Sequence, residues 1–202
     1  KENVEFPWEY LIFIQNYHYP LEFFSISWSL AVEEQFYLFI AIFLSLTTKI
    51  KKYFVTILLC IAIILPFVFR YLQMYEHSTE THVRLDGCLM GVLIAHVYHQ
   101  YRKAFDVVAR YVSKFLVFFV ILYVLFFVNR YLPSLGVPDP DVLVLCMIFG
   151  AWVIAANANN VNRNAFYFPG ANYIATRSYS LYLVHPEVLA LERRFSPHCI
   201  PM

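Results

Sequence analysis

The chain has 202 residues, of which 60% are hydrophobic and only 14% charged, and its net charge is +1. Soluble domains run nearer about 45–50% apolar and about 25% charged, so this chain has too little polar surface to coat a soluble core. The balanced charge leaves no electrostatic case for a nucleic-acid partner.

In chain order, residues 1–27 come before the first long apolar run. Within them Trp8–Tyr19 (WEYLIFIQNYHY) is aromatic and mildly amphipathic, which predicts a segment lying at a membrane interface. Six apolar runs follow, and a bilayer core asks for about 20 apolar residues per helix. They are Trp28–Leu46, Tyr53–Phe69 with Pro66 inside it, Val83–His99, Lys114–Asn129, Val142–Ala156, and Tyr173–Leu191 with Pro186 inside it. The third, fifth and sixth are short or carry polar residues. The pattern predicts an all-α, polytopic transmembrane helix bundle of about six spans, read as one domain with no internal repeat. Tyrosines near the ends of the runs suit an interfacial aromatic belt.

The loop charges give an orientation. Lys49, Lys51 and Lys52 fall in the first loop, and Arg102, Lys103 and Arg110 in the third, with Lys114 at its edge. The positive-inside rule makes both loops cytoplasmic. The first span then enters from outside and the sixth ends outside. Of Cys60, Cys88, Cys146 and Cys199, three fall inside apolar runs and none shows CxxC spacing. That suggests small buried apolar residues, with no disulfide framework and no zinc site. The chain starts at Lys1 with no signal peptide before the first run, and so reads as a piece of a longer protein.

A charge inside a span costs about 2.5–3.5 kcal/mol on insertion scales and calls for a partner or a wet cavity. Three groups of polar residues stand out. The first, Ser27–Tyr37 (SWSLAVEEQFY), opens the first span, and Ser29, Glu33 and Tyr37 fall four apart on one helix face, with Glu34 about 100° round. Paired carboxylates there suit cation binding, acid/base work or an arginine partner; helix capping by Ser and Glu is the alternative. The second, Arg84–Gly91 (RLDGCLMG), opens the third span. Arg84 and Asp86 lie two apart and point to different faces, so each needs a partner elsewhere, unless Arg84 snorkels to the outer surface. Gly87, Gly91 and Ala95 recur at four, a small-residue stripe that predicts close approach of another helix. The third, Ser178–Pro186 (SYSLYLVHP), sets Ser178, Tyr182 and His185 on one face beside the Pro186 kink. His185 suits a proton carrier or an ordinary structural histidine.

His77, Glu80 and His82 share an outer loop with only loose metal-site spacing, and a solvated loop is the expected reading. His96 and His99 sit at a helix end, where polarity alone accounts for them. No GxSxG, Walker, HExxH or dinucleotide-binding motif is present.

The stretch SWSLAVEEQFYLFIAIFL (Ser27–Leu44), with IFIQNY (Ile12–Tyr17) upstream and RLDGCLMG and SYSLYLVHP downstream, resembles the type-3 acyltransferase family of membrane-bound proteins in order and spacing. The resemblance implies transfer of an acyl group, often acetyl, from a cytoplasmic acyl-CoA to a hydroxyl. The acceptor is typically a sugar of a cell-surface polysaccharide, peptidoglycan or small glycoside. It implies acyl-CoA as co-substrate with no bound cofactor or metal, and a lipid bilayer, acyl-CoA and a glycan acceptor as partners, in a bacterial inner membrane. It also implies a parent of roughly ten spans. That family's first-span histidine base and its basic arginine motif match nothing here. The expectation is therefore a fragment that begins before about the fourth span, lacks a further span after Leu191, and is inactive alone.

By the same resemblance, Glu33 orients the missing histidine or the acceptor hydroxyl, and Glu34 is the second candidate for that task. Arg84 and Asp86 organise the polar cavity, and Trp28, Ser29, Tyr37, Tyr179, Tyr182 and His185 line it. A proton-coupled secondary transporter is the rival class, since it too carries intramembrane acids, bases and broken spans. A non-catalytic membrane scaffold is the third reading.

Overall fold

The structure is a computed structural model that describes residues 8–18, 26–131, 141–157, 170, 172–178, 180–182, 184 and 188. It divides into two compact units, Lys1–Val161 and Asn162–Met202. Among the described residues the first holds six helices: α1 (Ser27–Thr47), α2 (Lys52–Tyr71), α3 (Asp86–Gln100), α4 (Arg102–Lys114), α5 (Leu116–Tyr131) and α6 (Val142–Ala156). Short 3-10 turns cover Trp8–Tyr10, Gln15–Tyr17 and Thr81–Val83, and no strand occurs among the described residues.

In α2 the buried residues Val55, Leu59, Ile63 and Pro66 recur at four, four and three, so they make one stripe. Its Val55, Leu59 and Ile63 pack with Leu89 of α3 and Phe36 of α1 into the core. Helix α2 closes with a two-bond cap, Met74 N–H to Phe69 C=O at 2.9 Å and Gln73 N–H to Arg70 C=O at 3.1 Å. Gln73 there takes a left-handed φ of 53°, the position glycine usually fills. Many other side chains of α1, α2 and α5 are apolar and exposed, for example Leu38, Phe39, Ile42, Ile61, Ile64, Phe118 and Ile121. Apolar surface on that scale belongs in lipid.

Helices α1 and α2, about 31 and 30 Å long, are long and apolar enough to cross a membrane. Together α4 and α5 would make a third such span, but they are bent by 59° at Phe115. The first two expected spans coincide with α1 and α2, the fourth with α5 and the fifth with α6. The third starts later than expected, at Asp86, because Thr81–Val83 is spent on a 3-10 turn. Helices α3 and α6 have 15 residues each, about 22 Å, short of the roughly 30 Å hydrocarbon thickness. Of the sixth expected span, residues 173–178, 180–182, 184 and 188 are described and helical, and the remainder, with His185 and Pro186, lies outside the described residues.

Two expectations are corrected. The third loop is largely helix: α4 buries Phe105 and Ala109 against Ile94, Val97 and Tyr98 of α3 and Ile154 of α6. The small-residue stripe of α3 works only in part. A Cβ on Gly87 would meet Cys146 Sγ of α6 at 3.4 Å, but nothing described lies within 4 Å of Gly91. The closer approach uses a glycine of the other helix. Met90 and Ile94 pass over Gly150 of α6, at 3.2 and 3.4 Å from where its Cβ would stand.

The bundle has two chemically different ends. At one, Lys52 Nζ donates to the Gln100 carbonyl at 3.3 Å and Thr56 Oγ1 meets His96 Nε2 at 3.1 Å. These contacts bring the two basic loops together. At the other end meet the last turn of α2 and the first turns of α3 and α6.

In the second unit, residues 172–178 are helical. Thr176 Oγ1 donates to the Asn172 carbonyl at 3.0 Å, and the Arg177 guanidinium stands 3.8 Å over the Tyr173 ring.

Candidate functional site

The polar end opposite the basic loops is built from two networks. The first centres on Arg70, in the last turn of α2. Its guanidinium reaches Asp86 Oδ2 at 2.9 Å and Asp141 at 2.6 and 3.1 Å, and it also donates to the Val83 carbonyl. Asp86 opens α3 with no exposure, and its other oxygen accepts the Gly87 N–H at 3.1 Å. Asp141 caps α6 by accepting the Leu143 N–H at 2.8 Å. One guanidinium therefore ties three helices, and its planar fork suits two carboxylates at once. Burial raises the affinity of the Asp141 carboxyl for a proton. The hydrogen bonds from Arg70 and the Leu143 N–H outweigh that and hold it below the usual carboxylate range.

The second network joins the segment before α1 to the outer loop. Asn16 is fully buried, and its Nδ2 donates to Thr81 Oγ1 at 2.9 Å and to the Thr79 carbonyl at 3.2 Å. Thr81 Oγ1 donates to Gln35 Oε1 at 2.6 Å, and Gln35 Nε2 returns to Asn16 Oδ1 at 3.0 Å. Three side chains from three segments thus close a ring. Thr79 Oγ1 adds a bond to the Asn16 carbonyl at 2.8 Å. A polar network this well satisfied rigidifies the end it occupies. Beside it, Gln15 Nε2 donates to the Ser27 carbonyl at 3.2 Å, while Gln15 Oε1 and Ser27 Oγ are buried with no hydrogen-bond partner among the described residues.

The residues singled out from sequence fall as follows. Asp86 finds its partner in Arg70, and Arg84 finds two, the Ser78 carbonyl and the Trp28 ring, whose centroid lies 5.4 Å away. Ser29 Oγ donates to the Ile26 carbonyl at 3.1 Å. Glu33 is half-buried and Glu34 exposed, and Tyr37 is mostly exposed beside Phe36. Gln35 lies about 200° round α1 from Glu33, so the hydrogen-bonded ring and Glu33 use different faces. Tyr182 belongs to the second unit, where it is 38% exposed. Tyr179 and His185 lie outside the described residues.

The outer loop is more ordered than the expected solvated one. Glu80 is buried and accepts the Glu76 and His77 N–H groups at 2.9 and 2.7 Å, with His82 at 3.5 Å. These acceptor bonds give Glu80 a loop-folding task, and no group of three or more metal-ligating side chains occurs among the described residues.

Sequence reasoning missed Arg70, Asp141, Thr79 and Thr81, and it gave no individual role to Gln15, Asn16 and Gln35, which lie within the quoted IFIQNY and SWSLAVEEQFY stretches. Two signals were available: a Gln-Asn pair inside an apolar aromatic stretch, and an aspartate immediately before an apolar run, a usual helix-start residue.

Chemically, the end separates its acids. Asp86 is committed to Arg70 and cannot act as a free base, whereas Glu33 and Glu34 stand outside both networks. No curated protein and no solved structure matches the chain. The family model described as an acyltransferase domain matches residues 2–198, almost the whole sequence. On that match, the chain belongs to the type-3 acyltransferase family.

Proposed function

We propose that this membrane protein transfers an acyl group, most simply acetyl, from a cytoplasmic acyl-CoA to a hydroxyl of a carbohydrate such as a cell-surface polysaccharide. The six-span reading and a bacterial inner-membrane location belong to the same proposal. The observation that carries it is the family match across residues 2–198. Supporting it, the polar networks gather at the end of the bundle opposite Lys52 and α4. A bundle with its basic loops inside offers that end to an acceptor outside.

In this reading an acceptor hydroxyl needs a base and the thioester oxygen needs charge stabilisation. Glu33, half-buried and outside both networks, orients the base or the hydroxyl, and Glu34 is the second candidate. Arg84 and Asp86 organise the cavity, with Trp28, Ser29 and Tyr37 along it. The histidine base that the resemblance implies has no counterpart among these positions, so the test uses the full-length protein. Membranes containing it are given labelled acetyl-CoA, and label entering a glycan is the expected result. Glu33→Gln should lower that transfer about tenfold or more, less than the about 10²–10⁴-fold that direct proton transfer contributes, because Glu33 orients the base or the hydroxyl. Full transfer by Glu33→Gln would remove Glu33 from the reaction, and substrate uptake without labelling would favour a carrier.

A further inference from the structure

Helix α4 carries three different faces. Phe105 and Ala109 are buried against α3 and α6. Lys103, Arg110 and Lys114 are all exposed, and their spacing of seven and four puts them in one stripe about 40° wide. Next round the helix come Val107, Tyr111 and Val108, which are 42%, 61% and 45% exposed. The helix holds a single acid, Asp106, and Arg102 occupies it at 3.2 Å. At Phe115 the axis turns by 59° into the apolar helix α5.

We infer that α4 lies in the membrane surface and binds anionic lipid headgroups through Lys103, Arg110 and Lys114. The basic stripe alone would suit any phosphate. The adjoining apolar face decides between sources, because a soluble anion on the stripe would leave Val107, Val108 and Tyr111 in water. A lipid satisfies both faces: its acyl chains cover the apolar strip, and the long cationic side chains reach up to its phosphate. The bend supplies the geometry, since a helix along the surface must turn to enter the bilayer as α5. This inference rests on the membrane reading and is independent of acyl transfer.

The test uses the purified full chain in neutral detergent, with phosphatidylglycerol or phosphatidylcholine added in graded amounts and bound lipid counted by mass spectrometry of the intact complex. Phosphatidylglycerol should be preferred. Changing Lys103, Arg110 and Lys114 together to Gln should weaken its binding at least about tenfold, as three cations at a charged surface require, and leave phosphatidylcholine unchanged. Lys103→Arg with Lys114→Arg should keep the preference, as should Lys49→Gln with Lys51→Gln, which remove cations from the same end but not from α4. If the triple variant does not fold, the three single Gln variants serve, each expected to cost about threefold or more. Equal binding of the two lipids, an unchanged triple variant, or displacement of phosphatidylglycerol by inorganic phosphate or coenzyme A at matched ionic strength would each overturn the inference.

Discussion

Arg70 and Asp86 face each other at 2.9 Å between the end of α2 and the start of α3, and the carboxylate has no exposure to solvent. Removing one member of a buried pair strands the other charge, a loss of about 3–5 kcal/mol. Arg70→Gln should therefore fall in that range in thermal or denaturant unfolding of the detergent-solubilised protein, and Asp86→Asn should cost less, because Arg70 keeps Asp141 at 2.6 and 3.1 Å. Arg70→Lys should recover only part of the loss, because an ammonium cannot hold two carboxylates in the fork geometry of a guanidinium. Full recovery by lysine would show that charge alone matters there.

Asp141 titrates below an ordinary carboxylate in the folded protein. The folded state then binds its proton less readily than the unfolded chain. Its contribution to stability is complete above the unfolded carboxylate range, near pH 4, and is lost as pH falls through the lower folded value. Melting temperature measured from pH 6 downward should drop through this acid window. Asp141→Asn should be less stable at pH 6 and show a shallower acid slope. An acid limb of unchanged steepness in the variant would assign the titration to other groups.

Gln73 occupies a left-handed position in the cap that ends α2. A side chain there is disfavoured by roughly 1 kcal/mol or more relative to glycine. Gln73→Gly should raise unfolding stability by about 0.5–1 kcal/mol, partly offset by the greater freedom of glycine in the unfolded chain. Gln73→Val should lower stability, since a β-branched residue tolerates that conformation least. The pair of variants, compared by denaturant unfolding, tests the cap directly.

The long apolar runs made α1 and α2 legible, because twenty apolar residues have few other soluble or membrane uses. Asp86 was legible too, as a charge that needed a partner. Its partner was not, because Arg70 sits 16 residues earlier and looks like an ordinary loop cation. The ring of Asn16, Gln35 and Thr81 joins positions up to 65 apart, and no local pattern encodes such a meeting. Helix α4 was hidden for a different reason. Its apolar residues follow a helical period, but its charges read first as a loop, and only packing of Phe105 against α3 and α6 decides the matter.

The tie at Arg70 also constrains how the chain is made. Its two acids lie 16 and 71 residues further along, so they leave the ribosome after it. Until Asp86 emerges, the guanidinium at the end of α2 has no carboxylate to share the cost of leaving water. Helices α2 and α3 are therefore best inserted together as a hairpin, with α6 latched onto it by Asp141 once the later helices have been synthesised. Biogenesis would stall most visibly in a chain cut between Arg70 and Asp86, where the cation has been delivered and neither anion has.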